Sequence, residues 1–236
     1  MRFAVSLFVL LAGGPACAAS IAVVGDQLIL SGKIDDSELA QFRDATAAHG
    51  KTIATVVLRD LRPTGNLLES ARMAADYVRD QGWRTAVSGN CTGACAIIFL
   101  GGVSRHFTDD KPAGNTRVGL SGWYFTEHTR VRGYAKSDFS PFAARKARRW
   151  ITDCTQGKIS EQVLDLFLPL EWSEASNTVY FYDSRRLKRA DGISAFVCNG
   201  KNPAHAKVVD CDKVEADVYK EGVVTTDELI RSNDRK

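Results

Sequence analysis

The chain has 236 residues, with 31 lysines and arginines against 28 aspartates and glutamates, which gives a formal net charge of +3. This balance excludes the one-sided basic charge that is typical of nucleic-acid-binding proteins. With 19 glycines and 6 prolines, the composition also excludes a low-complexity or disordered chain. The length suffices for one ordinary hydrophobic core, or for one core with a small appendage.

The first residues have the pattern of a secretory signal peptide. Arg2 is followed by an apolar run over 3–12 and by Ala16-Cys17-Ala18, which has the small-residue form of a cleavage site. The apolar run is too short to cross a membrane, which takes about 20 residues. We therefore predict a signal peptide over 1–19, cut after Ala18 or Ala19, and a soluble mature chain in the periplasm or outside the cell, without a transmembrane anchor. Lipidation at Cys17 and a buried N-terminal strand are the alternatives.

Five cysteines remain after this cleavage, and in an exported protein they indicate a partial disulfide framework. The pairs that lie closest in sequence are Cys91–Cys95 and Cys198–Cys211. Cys154 is then free or pairs elsewhere, and the sequence alone does not fix the connectivity. Metal ligation is the alternative, but the C-x3-C spacing has no matching cysteine or histidine pair at zinc spacing, so no metal site is predicted.

Apolar periodicity and turn residues predict strands that alternate with helices, which is typical of an α/β fold. Ser37, Ser140 and Ser160 precede predicted helices as capping residues. The predicted elements are a strand over 21–30 with a turn at Gly25-Asp26, a helix over 38–49, a buried strand over 53–58, a loop over 59–66, a helix over 67–81, a strand over 84–88, a buried helix over 94–100, a strand-like stretch over 116–125, helices over 141–154 and 161–168, a strand over 178–182, a short helix over 184–190 and a polar tail from Cys198.

Several motifs resemble, in order, those of the periplasmic branch of the Clp-protease/crotonase-like superfamily. They are SGKI, the buried strand TVVL with a Pro/Gly loop, the helix LLESARMAADYVRDQG, then RTAV, CTGACAIIFLGG, Arg105 and RVGLSGW, with YFYDSRRLKRADGI as the closing piece. The resemblance implies repeated ββα units with a largely parallel sheet. It also implies a Clp/crotonase-like domain over 20–195 and a small C-terminal extension over 196–236, which the Cys198–Cys211 pair would staple.

The same resemblance implies where catalytic groups would lie. The family uses a serine at the start of the buried helix, a histidine base on a neighbouring strand, and two backbone N–H groups as an oxyanion hole. In this chain the nucleophile position is Gly93 and the base position is Ser121, so neither group is present. The backbone donors would come from the loop at Thr64 and Gly65 and from Gly93 and Ala94.

Neighbouring residues are weak substitutes for the missing pair. Thr92 precedes the nucleophile position, but a cap of the buried helix is the simpler role for it. His128 lies in a polar stretch that we expect to be exposed, and a displaced Ser121–His128 pair remains open. We expect His106 in a loop. Crotonase-type catalysis, which needs only backbone donors and a base such as Glu69, is a further alternative, although we expect Glu69 at the surface.

The favoured function from sequence is therefore a catalytically degenerate, exported binding or assembly module that uses no cofactor. A cleft of this fold would hold a peptide or protein ligand, and the resemblance implies homo-oligomers. The alternative is a peptidase-like or ester hydrolase with an atypical nucleophile. Two basic clusters are either solvated faces, salt-bridge partners, or sites for an acidic partner or membrane surface. They are Arg145, Lys146, Arg148 and Arg149, and Arg185, Arg186, Lys188 and Arg189.

Overall fold

Two five-stranded sheets organise the chain in a computed structural model that describes residues 20–63, 67–122, 126–131, 134–171, 177–199 and 211–231. The strands are β1 (Ser20–Val24), β2 (Gln27–Ile34), β3 (Thr55–Pro63), β4 (Arg84–Ser88), β5 (Asn90–Thr92), β6 (Arg105–Phe107), β7 (Arg117–Ser121), β8 (Thr126–Val131), β9 (Tyr134–Phe139), β10 (Asn177–Tyr182), β11 (Ala195–Asn199) and β12 (Asp212–Val214). The helices are α1 (Asp36–His49), α2 (Leu68–Asp80), α3 (Ala94–Leu100), α4 (Pro141–Cys154), α5 (Glu161–Phe167) and α6 (Ser184–Leu187).

The sheet topology confirms the predicted α/β fold. The first sheet has the order β1-β2-β3-β4-β6, and all of its neighbours are parallel except the β1–β2 hairpin. The second has the order β12-β11-β10-β7-β5, with β5 and β7 parallel and the other pairs antiparallel. In chain order, β1-β2-α1 and β4-β5-α3 are each two strands followed by a helix. β8 and β9 form a separate hairpin.

Local sequence explains the helices that were predicted best. Ser140 caps α4 by accepting a hydrogen bond from the Ala143 N–H at 3.2 Å, and Pro141 occupies the first helical position, where no N–H is needed. Every residue of α3 is buried. This is expected for a helix that is apolar all round, which has no face suited to water. The predicted bounds of both helices are confirmed.

Other predicted bounds were wrong. Helix α1 begins at Asp36, because the Asp35 carboxylate and not Ser37 lies at its start and accepts a hydrogen bond from the Ser37 N–H at 2.7 Å. Strand β3 continues to Pro63 through the predicted loop. It stays paired with β2 because that pairing shifts register between Ser31 and Lys33.

The C-terminal segment is not the polar tail that we predicted. Val218, Val223 and Val224 are fully buried in the main core. The buried Arg105 side chain donates hydrogen bonds to the carbonyls of Val223 and Gly222 at 2.9 and 2.8 Å, and burial lowers the pKa of Arg105 to about 10. The predicted boundary between residues 195 and 196 falls inside β11, and the division into a domain and an extension stays a prediction.

The outer face of the first sheet is covered by the end of the described chain. Ile29, Val57 and Ala86 are register neighbours on β2, β3 and β4, and they form one apolar cluster with Ile230. The backbone of Ile230 bonds to the Phe107 carbonyl at 3.0 Å, so this segment also lines β6. Within the described ranges, no helix is both long enough and apolar enough to span a membrane.

Candidate functional site

The turn that joins β5 to α3 is the centre of the candidate site. Gly93 lies at its apex with φ 59° and ψ −128°, and it is the residue that precedes the first turn of α3. This backbone region is essentially restricted to glycine. A sharp strand-to-helix turn of this kind is the local form that exposes a serine nucleophile in hydrolases. Here the turn is present, but its apex residue carries no side chain.

Thr92 does not have the capping role that we predicted. No side chain caps α3, and Thr92 is almost completely buried at the end of β5. It pairs with Gly119 of β7, where an added Cβ would lie 2.6 Å from the Thr92 methyl group and 2.8 Å from the Tyr180 ring. Thr92 is thus a packing residue between two strands, which requires a glycine opposite it.

A disulfide spans this turn. Cys91 and Cys95 are bonded with a Cα–Cα distance of 5.2 Å, and both are fully buried. Cys198 and Cys211 are bonded as well, so both predicted pairs are confirmed. Cys154 is free and buried, and its sulfur accepts a hydrogen bond from the Arg79 guanidinium at 2.9 Å. Burial raises the pKa of the Cys154 thiol, although Arg79 opposes this shift.

Ser121 is the last residue of β7, at the same end of the second sheet as Gly93. Because β5 and β7 are parallel and Thr92 pairs with Gly119, Gly93 and Ser121 both lie at the carboxyl ends of neighbouring strands. Ser121 is 8% exposed, and it makes no side-chain hydrogen bond with another described residue. The register therefore brings together the two positions at which the superfamily would place its nucleophile and its base.

The structure does not describe the relevant atoms of three predicted site residues. Thr64 and Gly65, the loop donors, lie outside the described residues. His128 lies on β8, but its side chain is not described, so the Ser121–His128 pair stays a prediction. Ala94 begins α3 next to Gly93, where its N–H is one of the predicted backbone donors, and its role also stays a prediction.

His106 lies in β6 and not in a loop as we predicted. Its side chain is 2% exposed, its Nδ1 lies 3.0 Å from the Glu228 carbonyl, and its Nε2 lies 2.9 Å from the Ser104 hydroxyl. Since a carbonyl only accepts, Nδ1–H donates to Glu228 and Nε2 accepts from Ser104. Burial lowers the pKa of His106, because it disfavours the charged imidazolium. Ser104 precedes β6, so this pair lies at the amino end of the first sheet, away from the carboxyl ends that carry Gly93 and Ser121.

The sequence did not reveal a charged network that joins the middle of β3 to the carboxyl end of β4. The Asp110 carboxylate accepts hydrogen bonds from Ser88 at 2.9 Å and forms an ion pair with Arg59 at 3.2 Å. Asp60, at a φ of 43°, forms an ion pair with Lys111. It also accepts a hydrogen bond from the N–H of Asn90, the first residue of β5, at 3.1 Å. These contacts fix the chain that leads into the Gly93 turn. The only sequence signal was an unusual concentration of charge after two buried strands.

The other candidate residues are distributed as follows. Glu69 is 72% exposed and pairs with Arg72, as expected for a surface glutamate. Within the described ranges, no group of three or more histidine, cysteine, aspartate or glutamate side chains could hold a metal ion.

The two basic clusters differ in how far their charges are paired. Arg148 is buried and forms ion pairs with Glu161 and Asp165. The other three basic residues of this cluster are exposed. The second cluster is largely committed to internal contacts. Arg185 pairs with Asp227, Arg186 donates to the carbonyls of Thr108 and Lys111, and Arg189 pairs with Asp191.

Comparisons with known proteins give structural neighbours only. No protein-family model matches the chain, and no curated protein matches its sequence. Similar solved structures include a membrane-bound stomatin-specific protease (13% identity, TM-score 0.41, 60% of this chain and 67% of that chain). Others are enoyl-CoA hydratase/isomerase proteins from Bordetella parapertussis (12%, 0.42, 72% and 69%) and Acinetobacter baumannii (9%, 0.41, 91% and 75%). All of these TM-scores lie below 0.5, so the likenesses assign no chemistry to this chain.

Proposed function

We propose that this chain is an exported Clp/crotonase-like protein that binds a peptide or protein segment and does not cleave it. The observation that carries the proposal is the Gly93 turn: its backbone has the form that presents a nucleophile, yet its apex has no side chain. Ser121, at the base position beside it, has no basic nitrogen. A nucleophile position without a side chain and a base position without a basic nitrogen cannot form the pair that acyl transfer requires.

The contacts of His106 support the same conclusion. Both of its ring nitrogens are already engaged, by Ser104 and by the Glu228 carbonyl, at the other end of the strands. It is therefore unable to serve Ser121 as a base without a rearrangement of β6 and of the segment that covers it. The superfamily resemblance also predicts self-association, which stays a prediction.

Export is the second component of the proposal. The signal-peptide pattern over 1–19 predicts it, and the two disulfides support it because such bonds form and persist in oxidising compartments. Expression in a bacterial host, followed by fractionation and N-terminal sequencing, tests it. We expect a mature chain that begins at Ala19 or Ser20 in the periplasm or medium, and an uncut cytoplasmic chain would contradict this component.

Labelling with a fluorophosphonate probe tests the loss of catalysis. The purified, oxidised mature protein is treated with the probe and mapped by mass spectrometry, with heat-denatured protein as the control. We expect no labelling above that control and no cleavage of casein. Specific labelling of Ser121 or Thr92 would show that the site has been rebuilt, and the proposal would be wrong.

One contact favours a second candidate, a hydrolase with an atypical nucleophile. The Ser104 hydroxyl lies 2.9 Å from His106 Nε2, and the other ring nitrogen is oriented by a carbonyl. This is the arrangement of a nucleophile, a base and an orienting group. Probe labelling that is lost in Ser104→Ala and retained in Ser121→Ala would identify this function.

A further inference from the structure

A small groove between α2 and α4 lies next to the candidate site. It has a volume of about 170 Å³ and an apolar floor made by Ile97, Ala143 and Ala147, with Trp150 and Lys146 at its border. Sites for whole small molecules span roughly 300–1,000 Å³. A groove of this size accommodates a single apolar side chain, as anchor pockets in protein interfaces do.

The groove opens beside the Gly93 turn. Ile97 is one helical turn beyond Gly93, and its N–H donates to the Gly93 carbonyl at 3.2 Å. Glu69, at the opposite rim, lies in the first turn of α2. The floor of the groove is therefore one turn of α3 away from the Gly93 turn.

Helix α4 carries three positive charges that no described residue neutralises, and one of them, Lys146, lines the groove. Arg145, Lys146 and Arg149 are exposed and form no ion pair within the described part of the chain. They share the outer face of α4 with Phe142, which is 70% exposed. Arg148, on the inner face, is paired with two carboxylates and does not contribute to this surface.

The α2 rim does not cancel this charge. Arg72 lies between Glu69 and Asp76 and forms ion pairs with both, at 3.6 and 4.0 Å. The Trp150 indole N–H also donates to Asp76 at 3.4 Å. Asp153, at the end of α4, is the one exposed acid on that helix. With two carboxylates against one guanidinium, the α2 side has a net charge of −1, whereas the α4 side stays positive.

We propose that this groove binds an acidic peptide segment, with an apolar side chain of the segment in the pocket and its carboxylates along Lys146, which lines the groove, and Arg149, one helical turn away. The inference rests on the proposed function, because it names the chemistry of the ligand that the degenerate site holds. Complementary charge selects the partner and speeds its association, whereas the buried apolar anchor holds it. A concave pocket behind the charges favours a side chain over the flat surface of a membrane.

Fluorescence anisotropy of a labelled probe peptide tests the inference on the oxidised mature protein. The probe has one leucine between runs of aspartate and glutamate. One control peptide has lysines in place of the acids, and the other has glycine in place of leucine. We expect the acidic leucine peptide to bind, both controls to bind at least tenfold more weakly, and the affinity to fall as salt is raised, since exposed charges are screened.

Matched variants locate the site. Lys146→Glu/Arg149→Glu reverses two rim charges, and we expect it to weaken probe binding on the order of tenfold or more. Ala143→Phe fills the pocket, and we expect a similar loss at unchanged net charge. The control Lys51→Glu/Lys220→Glu changes the net charge equally at exposed residues elsewhere, and it should bind as the unmodified protein does.

Each other outcome overturns the inference. The first is equal binding of the lysine peptide, and the second is equal loss in the control variant. The third is that the acidic leucine peptide does not bind at low salt. This overturns the inference even if phosphatidylglycerol vesicles recruit the protein through the same residues. A dimer that the rim variant dissociates would assign the surface to a second copy. Cleavage of the probe would refute the proposed function, whereas intact binding without charge dependence would refute only this inference.

Discussion

The glycine at the apex of the β5–α3 turn can be tested by placing there the serine that the family resemblance predicts for a nucleophile. The change is Gly93→Ser, at a backbone of φ 59° and ψ −128°. A residue with a Cβ in this region costs about 1–3 kcal/mol. The turn cannot relax freely, because Cys91 and Cys95 are bonded across it and both are fully buried. We therefore expect the free energy of unfolding to fall by about 1–3 kcal/mol.

Urea unfolding of the oxidised protein, followed by circular dichroism, measures this loss. The matched control is Gly114→Ser, at an exposed glycine where an added Cβ meets only one atom, Leu187 Cδ1, at 4.0 Å. A surface change of that kind is usually within about 0.5 kcal/mol. We also expect no probe labelling of Gly93→Ser, because Ser121 at the neighbouring strand end has no basic nitrogen. A variant as stable as the parent, or one that reacts with the probe, would refute the reasoning.

Three further outcomes are expected from the described contacts. Gly119→Ala should lower stability in urea by about 1–3 kcal/mol, because the new methyl group overlaps Thr92 and Tyr180, and an unchanged midpoint would contradict the tight strand contact. Stability should fall as pH drops below 6.5, since the unfolded chain protonates His106 before the folded chain does. In His106→Gln this component of the slope should disappear, and an identical pH profile would count against it. Asp183→Ala should cost about 1–3 kcal/mol in thermal unfolding, because it leaves the Arg185 and Arg186 N–H groups and the Tyr219 hydroxyl without the buried carboxylate that accepts from them. An unchanged melting temperature would show that water replaces the carboxylate.

The sequence predicted elements well where local chemistry decides them. The bounds of α4 follow from Ser140 and Pro141, and those of α3 follow from an apolar run between Gly93 and Gly101. Both signals act within one helical turn, so no knowledge of the rest of the fold was needed. The positions of Gly93 and Ser121 at neighbouring strand ends could be expected only through the family resemblance.

Features that depend on distant parts of the chain were not predictable in the same way. His106 has polar neighbours typical of a loop, but it lies in a strand because β6 pairs with β4 on one edge and the segment around Glu228 and Ile230 lines the other. The continuation of β3 to Pro63 likewise depends on its pairing with β2 and not on its own composition. The burial of Val218 was not predicted, because the C-terminal region is largely polar and has no continuous apolar run.

The contacts of Arg105 and Gln27 with the last described residues have a consequence for the order of folding. Arg105 donates to a carbonyl 118 residues later in the chain, and Gln27 donates to the carbonyl of Arg231, 204 residues later. Closure of such long loops is slow, and it cannot precede synthesis of the distal segment. A nascent chain therefore lacks two of the acceptors of its buried guanidinium until Gly222 and Val223 have been synthesised. For the export that we propose, this delay keeps the polypeptide unfolded during translocation, and the native state forms only on the far side.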